Sequence, residues 1–394
     1  MPWRQTRRRY LATLGAAGAA ALAGCSNDSE NRTPTGDPSI PADIGHWPMF
    51  GHNAANTGVA AEETGPTTNV ISQWGYSTGA QVFSSPAVVD GSVYVGSNDN
   101  AVHALSAVDG ARQWRFETDG LVRSSPAVAD GTVYVGSFDG YLYALSAGTG
   151  SEEWRFEAGG SDNPLVDRLP VRASPTVADG TVYVGSDSGT VSAVATDGTE
   201  QWSADTGGAV VTTPAVADGT VYVGDDGGTV TALAAGDGTE QWTADLGGAV
   251  IGSPAVADGT VYVGTDGGDV VALSTSDGTE RWRYGTDAPV HTSPAVDGDT
   301  VYVGDGTDVT ALAAGDGAHQ WSTGTGDTVR SSPSVAGGNV YVGSNDNKLY
   351  ILSAGDGTVQ WELPAGGPIA ASPAVVDNVV FVAGDSDIHG MTAP

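Results

Sequence analysis

The sequence predicts an all-β fold: an eight-bladed β-propeller of four-stranded antiparallel blades, its ring closed by the N-terminal strand completing the last blade. Three observations carry this. The nine residues VADGTVYVG stand unchanged at 128–136, 177–185, 216–224 and 256–264, with degraded copies around them. Prolines of a [ST]P pair recur at Pro86, Pro126, Pro175, Pro214, Pro254, Pro294, Pro333 and Pro373. Tyr94, Tyr134, Tyr183, Tyr222, Tyr262, Tyr302, Tyr341 and Phe381 follow in the second apolar run of each unit. Eight units of about 40 residues, with no helical periodicity, fit propeller blades.

Taken in chain order, residues 1–24 carry Arg4, Arg7, Arg8 and Arg9, no acid, and an apolar run from Leu11 to Gly24. That run is too short for a spanning helix of about 20 residues and reads as an export signal. RRRYL at 7–11 resembles a twin-arginine motif and LAGC at 22–25 resembles a lipoprotein-processing box. Cys25 is then expected to become a lipidated N-terminus, holding the protein at the outer face of the cytoplasmic membrane. As the single Cys, it leaves a monomer no disulfide and no Cys-based metal site. Residues 25–45 are polar and Pro-containing and read as a flexible tether; 46–68 read as a pre-propeller segment and 69–394 as the propeller.

Within each unit, the Asp-Gly between SPAVA and TVYVG is a hairpin signal, because both residues of a type I′ turn need positive φ. Two alternating runs follow, such as AVHALSA at 101–107 and ARQWRFE at 111–117, which makes four short strands. The eighth unit ends without a Trp. Trp74 belongs to no earlier unit, yet lies 12 residues before Pro86, the spacing of Trp114 to Pro126. Strand 69–77 is therefore expected to complete the last blade and remove an open edge.

The formal net charge of −32 becomes −36 once residues 1–24, with four Arg and no acid, are removed, and Lys348 is the only Lys. Acidity spread over every repeat suits solvation in concentrated salt, a haloarchaeal-type composition. It argues against nucleic acid, whose phosphates require Lys and Arg. Asp-rich turns such as SNDN (97–100) are too short and too variable for a calcium loop. The six His residues, His46, His52, His103, His291, His319 and His389, form no metal-spaced pair. No nucleophile elbow, phosphate loop or catalytic carboxylate pair stands out, so no catalytic or metal residue is assigned.

Gly-x-x-x-Trp recurs from Gly110–Trp114 to Gly357–Trp361, and no Trp is followed by Asp. With ILSAGDGTVQW at 351–361 and WPMFGHNAANTG at 47–58, residues 46–391 resemble the pyrroloquinoline-quinone-type repeat family. The resemblance implies Trp docked between neighbouring blades, burying large flat side chains. Quinoprotein dehydrogenases share the repeat, but their adjacent Cys pair and long pocket loops are missing here. Seven of the eight Trp-to-Pro connections are 12 residues long. The trimmed ring is more similar to the non-catalytic propeller lipoprotein of the outer-membrane barrel assembly machine. The expected function is a lipid-anchored, extracytoplasmic, monomeric binding or scaffold module for a membrane or exported protein or a small anionic ligand, without a cofactor. The alternative is a minimal quinone-dependent dehydrogenase-like enzyme holding pyrroloquinoline quinone.

One set of positions breaks the repeat. Four residues before each Pro stand Val82, Val122, Val171, Val210, Val250, Val290, Val329 and Ile369, β-branched and expected to be buried. The next residue varies: Phe83, Arg123, Arg172, Val211, Ile251, His291, Arg330 and Ala370. In an eight-membered ring Arg123 opposes His291 and Arg172 opposes Arg330. The longest connection, GGSDNPLVDRLPV at 159–171, runs into Arg172. Arg123, Arg172, His291 and Arg330 are thus the candidate ligand-binding residues at one channel mouth, where Arg forks suit carboxylates. The competing reading pairs these side chains with loop residues such as Asp119, Asp162 or Asp327.

Overall fold

The Asp-Gly pairs adopt the backbone their chemistry permits. In the computed structural model, which describes residues 40–60, 62–160 and 168–393, Asp130 and Gly131 have φ of 49° and 78°, the two positive values a type I′ turn requires. Asp90–Gly91, Asp179–Gly180, Asp218–Gly219 and Asp258–Gly259 repeat it. Blade six departs: there Gly298 alone is positive, at 53°, as in a II′ turn.

Each hairpin continues into two further antiparallel strands. Blade one consists of Ala87–Val89, Ser92–Ser97, Ala101–Ser106 and Arg112–Glu117, hydrogen-bonded in chain order. Six more sheets follow the same order over 127–157, 176–205, 215–245, 255–285, 295–324 and 334–364. The first strands of neighbouring blades touch, so they line the centre of the ring. Blade eight takes Ala374–Val376, Val379–Gly384 and Asp387–Thr392 from the C-terminal end and Ile71–Ser77 from the N-terminal side, with Trp74 opposite Gly390. The eight-bladed ring and its closure are as the repeat predicts. Among the described residues no helix is long and apolar enough to cross a membrane. The signal, Cys25 and the tether up to residue 39 lie outside the described residues.

The seams between blades rest on two repeated contacts. A Cβ at Gly96, the last residue of VYVG, would overlap Val122 of the next blade, and Gly136 with Val171 and Gly264 with Val290 repeat the fit. Glycine is required there because the buried Val occupies the space. Further out, each Trp from Trp74 to Trp321 lies on the Gly of the following Gly-x-x-x-Trp and donates its indole N–H to a backbone carbonyl: Trp74 to Ala107 at 2.8 Å, Trp114 to Ala147 at 2.7 Å, Trp242 to Thr275 at 2.9 Å. The rings of the repeat Tyr from Tyr94 to Tyr302 tilt against the Trp of their own unit, as with Tyr94 and Trp114 at 5.8 Å between centroids.

The pre-propeller segment does more than precede the ring. The innermost strands have one edge facing the channel, with N–H groups that need acceptors. Carbonyls of Trp47, Pro48, Ala54, Ala55, Thr57 and Gly58 accept the N–H of Val88, Val128, Val216, Val256, Val296 and Val335 at 2.7–2.9 Å. Asn56, 1% exposed, donates to the carbonyls of Thr213, Pro214 and Pro254. One end of the channel is therefore plugged by residues 47–58. The last residues of the segment read as a tether, 40–45, lie against the ring, because Ile40 and Ile44 are buried beside Trp47 in its core.

Candidate functional site

At the other end the innermost strands begin. Val82, Val122, Val171, Val210, Val250, Val290, Val329 and Ile369 are all buried. The residue after each, opposite in facing, is exposed or half-buried at the lip of the channel. Exposure of Phe83 and Ile251, both 38%, is unusual for large apolar side chains in this molecule.

Each blade adds a second residue to this lip from the turn between its second and third strands. The N–H groups of Asn98, Phe138, Asp187, Asp226, Asp266, Gly306, Asn345 and Asp385 donate to the carbonyls of Gln81, Leu121, Pro170, Ala209, Ala249, Pro289, Thr328 and Pro368, at 2.8–3.4 Å. Those acceptors lie two residues before the lip residue of the same blade. A lip residue accordingly stands between the turn residue of its own blade and that of the blade before it.

This arrangement decides what each candidate residue meets. Arg123 has Phe138 of its own blade 5.2 Å from its guanidinium carbon, Phe83 at 4.8 Å, and Asn98 of blade one accepting its Nε–H at 3.0 Å. Arg172 donates to Asp187 of its own blade at 2.8 Å. His291 meets Asp266 of blade five at 2.6 Å. Arg330 lies between Asn345 and Gly306, and Gly306 offers no side chain. It has no hydrogen-bond or ion-pair partner among the described residues, and it lines a cavity of about 500 Å³. The carboxylates that pair come from turns, Asp187 and Asp266, rather than from the loop residues Asp119 or Asp327. Asp162 and most of the long connection before Arg172, residues 161–167, lie outside the described residues.

The cavity spans blades seven, eight and one. Phe83, Arg330, Ala370, Asn345 and Asp385 line it, with Gln81, Val82, Asp327 and Pro368. Beneath the lip runs a belt of hydroxyls from the [ST]P pairs. The N–H of Ser85 donates to Ser125 Oγ at 2.9 Å, Ser125 to Ser174 at 2.8 Å, Thr213 to Ser253 at 2.8 Å, and so round the ring until Ser372 donates to Ser85 at 2.9 Å. Between blades three and four Thr176 Oγ1 instead donates to the Pro214 carbonyl at 2.6 Å. The belt explains the hydroxyl residue before seven of the eight Pro, whose side chain accepts a buried N–H from the blade before it; Thr213 is the exception. Below the belt, the plug closes the channel around a small space lined by Trp47, Asn56, Ser293 and Ser332.

Another cavity, of about 340 Å³, lies between blades five and six and is lined by Tyr284, Asp287, Asp305 and Asp308. Burial pushes the Asp305 carboxyl up to about 6, while Thr310 opposes the rise. Among the described residues, no three His, Cys, Asp or Glu side chains are grouped to hold a metal.

Sequence reasoning found the lip residues and missed the turn residues between them. A signal existed: the second residue after the VYVG glycine varies as widely as the lip position, from Asn98 through Phe138 to Gly306. Asn56 offered none, since its partners are carbonyls more than 150 residues away.

Comparison with known proteins agrees with this architecture. A family model described as outer membrane protein assembly factor BamB matches residues 68–171, 165–249 and 226–384. No curated protein matches the chain. Among solved structures, the quinohemoprotein alcohol dehydrogenase of Comamonas testosteroni is similar at 17% identity and TM-score 0.75, over 88% of this chain and 80% of that one. BamB of Moraxella catarrhalis is similar at 20% identity and TM-score 0.67, over 82% and 97%. A computationally designed protein, Ika8, reaches TM-score 0.70 at 18% identity, over 83% and 98%. At these identities the likeness is one of fold, and the presence of a designed protein beside enzymes and an assembly factor underlines that the ring does not select a task.

Proposed function

Since the chain belongs to the propeller family described as outer membrane protein assembly factor BamB, we propose that it is a non-enzymatic binding module, exported and anchored through a lipidated Cys25, that takes a carboxylate-bearing ligand or an acidic segment of a membrane or exported partner at the lip of its channel. The observation that carries this reading is Arg330: an unpaired guanidinium in a cavity of about 500 Å³, where two parallel N–H donors can meet a carboxylate. Arg123 supports it from the far side of Phe83, its guanidinium held flat by two rings. Arg172 and His291 serve the lip differently, since each is engaged by a turn carboxylate.

The dehydrogenase alternative requires a place for pyrroloquinoline quinone, a tricarboxylate. The lip sets Asp187, Asp226, Asp266 and Asp385 against Arg123, Arg172, Arg330 and His291, with Asp187 and Asp266 already paired to Arg172 and His291, so it carries no net positive charge, a poor match for a polyanion. We derive no step through that group.

The test is calorimetric titration with hydrocinnamate, an apolar carboxylate, in molar salt. Binding to the wild type that weakens about tenfold or more in Arg330→Ala supports the reading. Absence of binding, or equal binding by the variant, refutes it. Anchoring is tested separately: Cys25→Ser should release exported protein into the medium, and retention on membranes after a salt wash would exclude a lipid anchor.

A further inference from the structure

We propose that the cavity between blades seven, eight and one binds a zwitterion, a free α-amino acid, with its carboxylate on Arg330 and its ammonium group on Asp385. This rests on the reading of the lip as a binding site and narrows what that site accepts.

Elsewhere on the same lip, opposite charges within reach of each other pair. Where a basic lip residue has a turn carboxylate beside it, the two close on each other, Arg172 on Asp187 at 2.8 Å and His291 on Asp266 at 2.6 Å. Asp385 has no such neighbour. Its own blade offers Ala370 and the next blade offers Phe83, so its carboxylate has no side-chain partner among the described residues, while its backbone N–H is held by Pro368 at 2.9 Å. Arg330, one blade earlier, stands beside Gly306 and Asn345 and is likewise unpaired. Both line the same cavity, yet they are not within ion-pair distance of each other.

A cavity that presents Arg330 and, out of its reach, Asp385, with Asp327 as a second carboxylate, matches a ligand that carries both charges. A simple anion would meet Asp385 unpaired, and a simple amine would meet Arg330 unpaired. Each leaves a like charge facing the ligand. Asp327, whose Oδ1 accepts the Thr328 N–H at 2.6 Å and which keeps its charge, adds a second carboxylate to the lining and disfavours a simple anion further. The side-chain amides of Gln81 and Asn345 also line the cavity and have no hydrogen-bond partner. The exposed Phe83 ring, with Ala370 beside it, offers an apolar wall for a side chain. A chain of net charge −32 gives free anions no long-range attraction, and salt screening removes what remains. Recognition by contact with both charges of one molecule does not depend on that field.

Three probes of one skeleton separate the outcomes: phenylalanine, hydrocinnamate, which lacks the ammonium group, and phenethylamine, which lacks the carboxylate. They are titrated into the full chain in molar salt. Phenylalanine should bind at least about tenfold more tightly than either of the others. Asp385→Asn should erase its advantage over hydrocinnamate, and Arg330→Ala should weaken both carboxylates while leaving phenethylamine unchanged. Unshifted thermal midpoints of the two variants serve as the folding control. Hydrocinnamate binding as tightly as phenylalanine overturns the zwitterion and leaves the carboxylate reading standing. Failure of all three probes to bind overturns both.

Discussion

Blade eight and the seven blades before it are built from the same sequence pattern, but seven are continuous and one is assembled from both ends of the chain. In the continuous blades the Trp of one blade finds a carbonyl in the next: Trp114 reaches Ala147 at 2.7 Å and Trp321 reaches Ala354 at 3.1 Å. At the seam between blades seven and eight the turn that would supply this carbonyl is missing, because the last unit ends and strand 71–77 replaces it. Trp361 consequently keeps a buried indole N–H without a partner. Tyr341 turns to the Pro66 carbonyl at 3.3 Å, whereas Tyr302 uses the Ala354 carbonyl of the next blade. The unpaired Arg330 and Asp385 and the cavity of about 500 Å³ lie beside the same blade. The splice leaves buried nitrogens of Gln73, Trp361 and His389 without partners, against Asp99 Oδ1 alone in the described part of the other repeats.

The comparison is broken most severely by removing the splice. Deletion of residues 69–78 takes away the strand paired to 387–392 and Trp74 with it, exposing the edge of 387–392. The midpoint of thermal unfolding should fall by on the order of 10 °C or more, if the chain folds at all. Deletion of 27–39 should leave it nearly unchanged, and equal midpoints in the same molar salt would show that closure does not hold the ring.

The plug offers the next largest effect. It takes the inner N–H groups of six blades but not those of Val177 in blade three and Val375 in blade eight. Asn56→Ala removes donors from three buried carbonyls and should cost about 2 kcal/mol in chemical denaturation. A cost near zero would mean that the plug rests on its backbone contacts alone.

Trp114→Phe and Trp361→Phe sharpen the contrast directly. Both lose comparable ring area, but the first also loses the indole bond to the Ala147 carbonyl and leaves it only the Tyr94 hydroxyl at 3.3 Å, whereas the second removes an N–H that had no acceptor. Trp114→Phe should be the more destabilising by about 1 kcal/mol; equal losses would argue that the indole bonds add nothing to the seams.

Blade six separates the effect of a short turn from that of the splice. It shares with blade eight a two-residue turn, 306–307 against 385–386, but its chain is continuous. Here the turn leaves Asp305 half-buried with its pKa raised from 3.8 to about 6. A carboxyl whose folded pKa is raised favours the fold while protonated: that contribution is present below about pH 4 and is lost as pH rises through about 6. Asp305→Asn should therefore be more stable than the wild type above pH 6, by less than about 1 kcal/mol given partial solvent screening. The advantage should vanish near pH 4, and a difference independent of pH would assign the effect to shape rather than charge.

What the sequence determined by itself was the ring. Eight [ST]P pairs, eight VYVG-like strands and Asp-Gly turns with obligatory positive φ specify four strands per unit, because each is a local requirement repeated in register. The misplaced Trp74 likewise announced closure, since a Trp spacing of 12 residues to Pro86 made sense only as the missing edge of the last blade. The lip residues were legible too, as the variable neighbours of constant buried valines. What only the tertiary structure decided was which of them remain unpaired. Arg172 and Arg330 are the same residue at the same repeat position, and one faces Asp187 while the other faces Gly306 and Asn345, supplied by turns on different blades. Charge pairing depends on distances across seams, and those distances follow from how the blades pack. The plug was beyond reach for the same reason: WPMFGHNAANTG bonds through its backbone carbonyls, which every sequence possesses, and the N–H donors they meet, on Val88, Val216 or Val335, are brought to them only once the ring has closed around the segment.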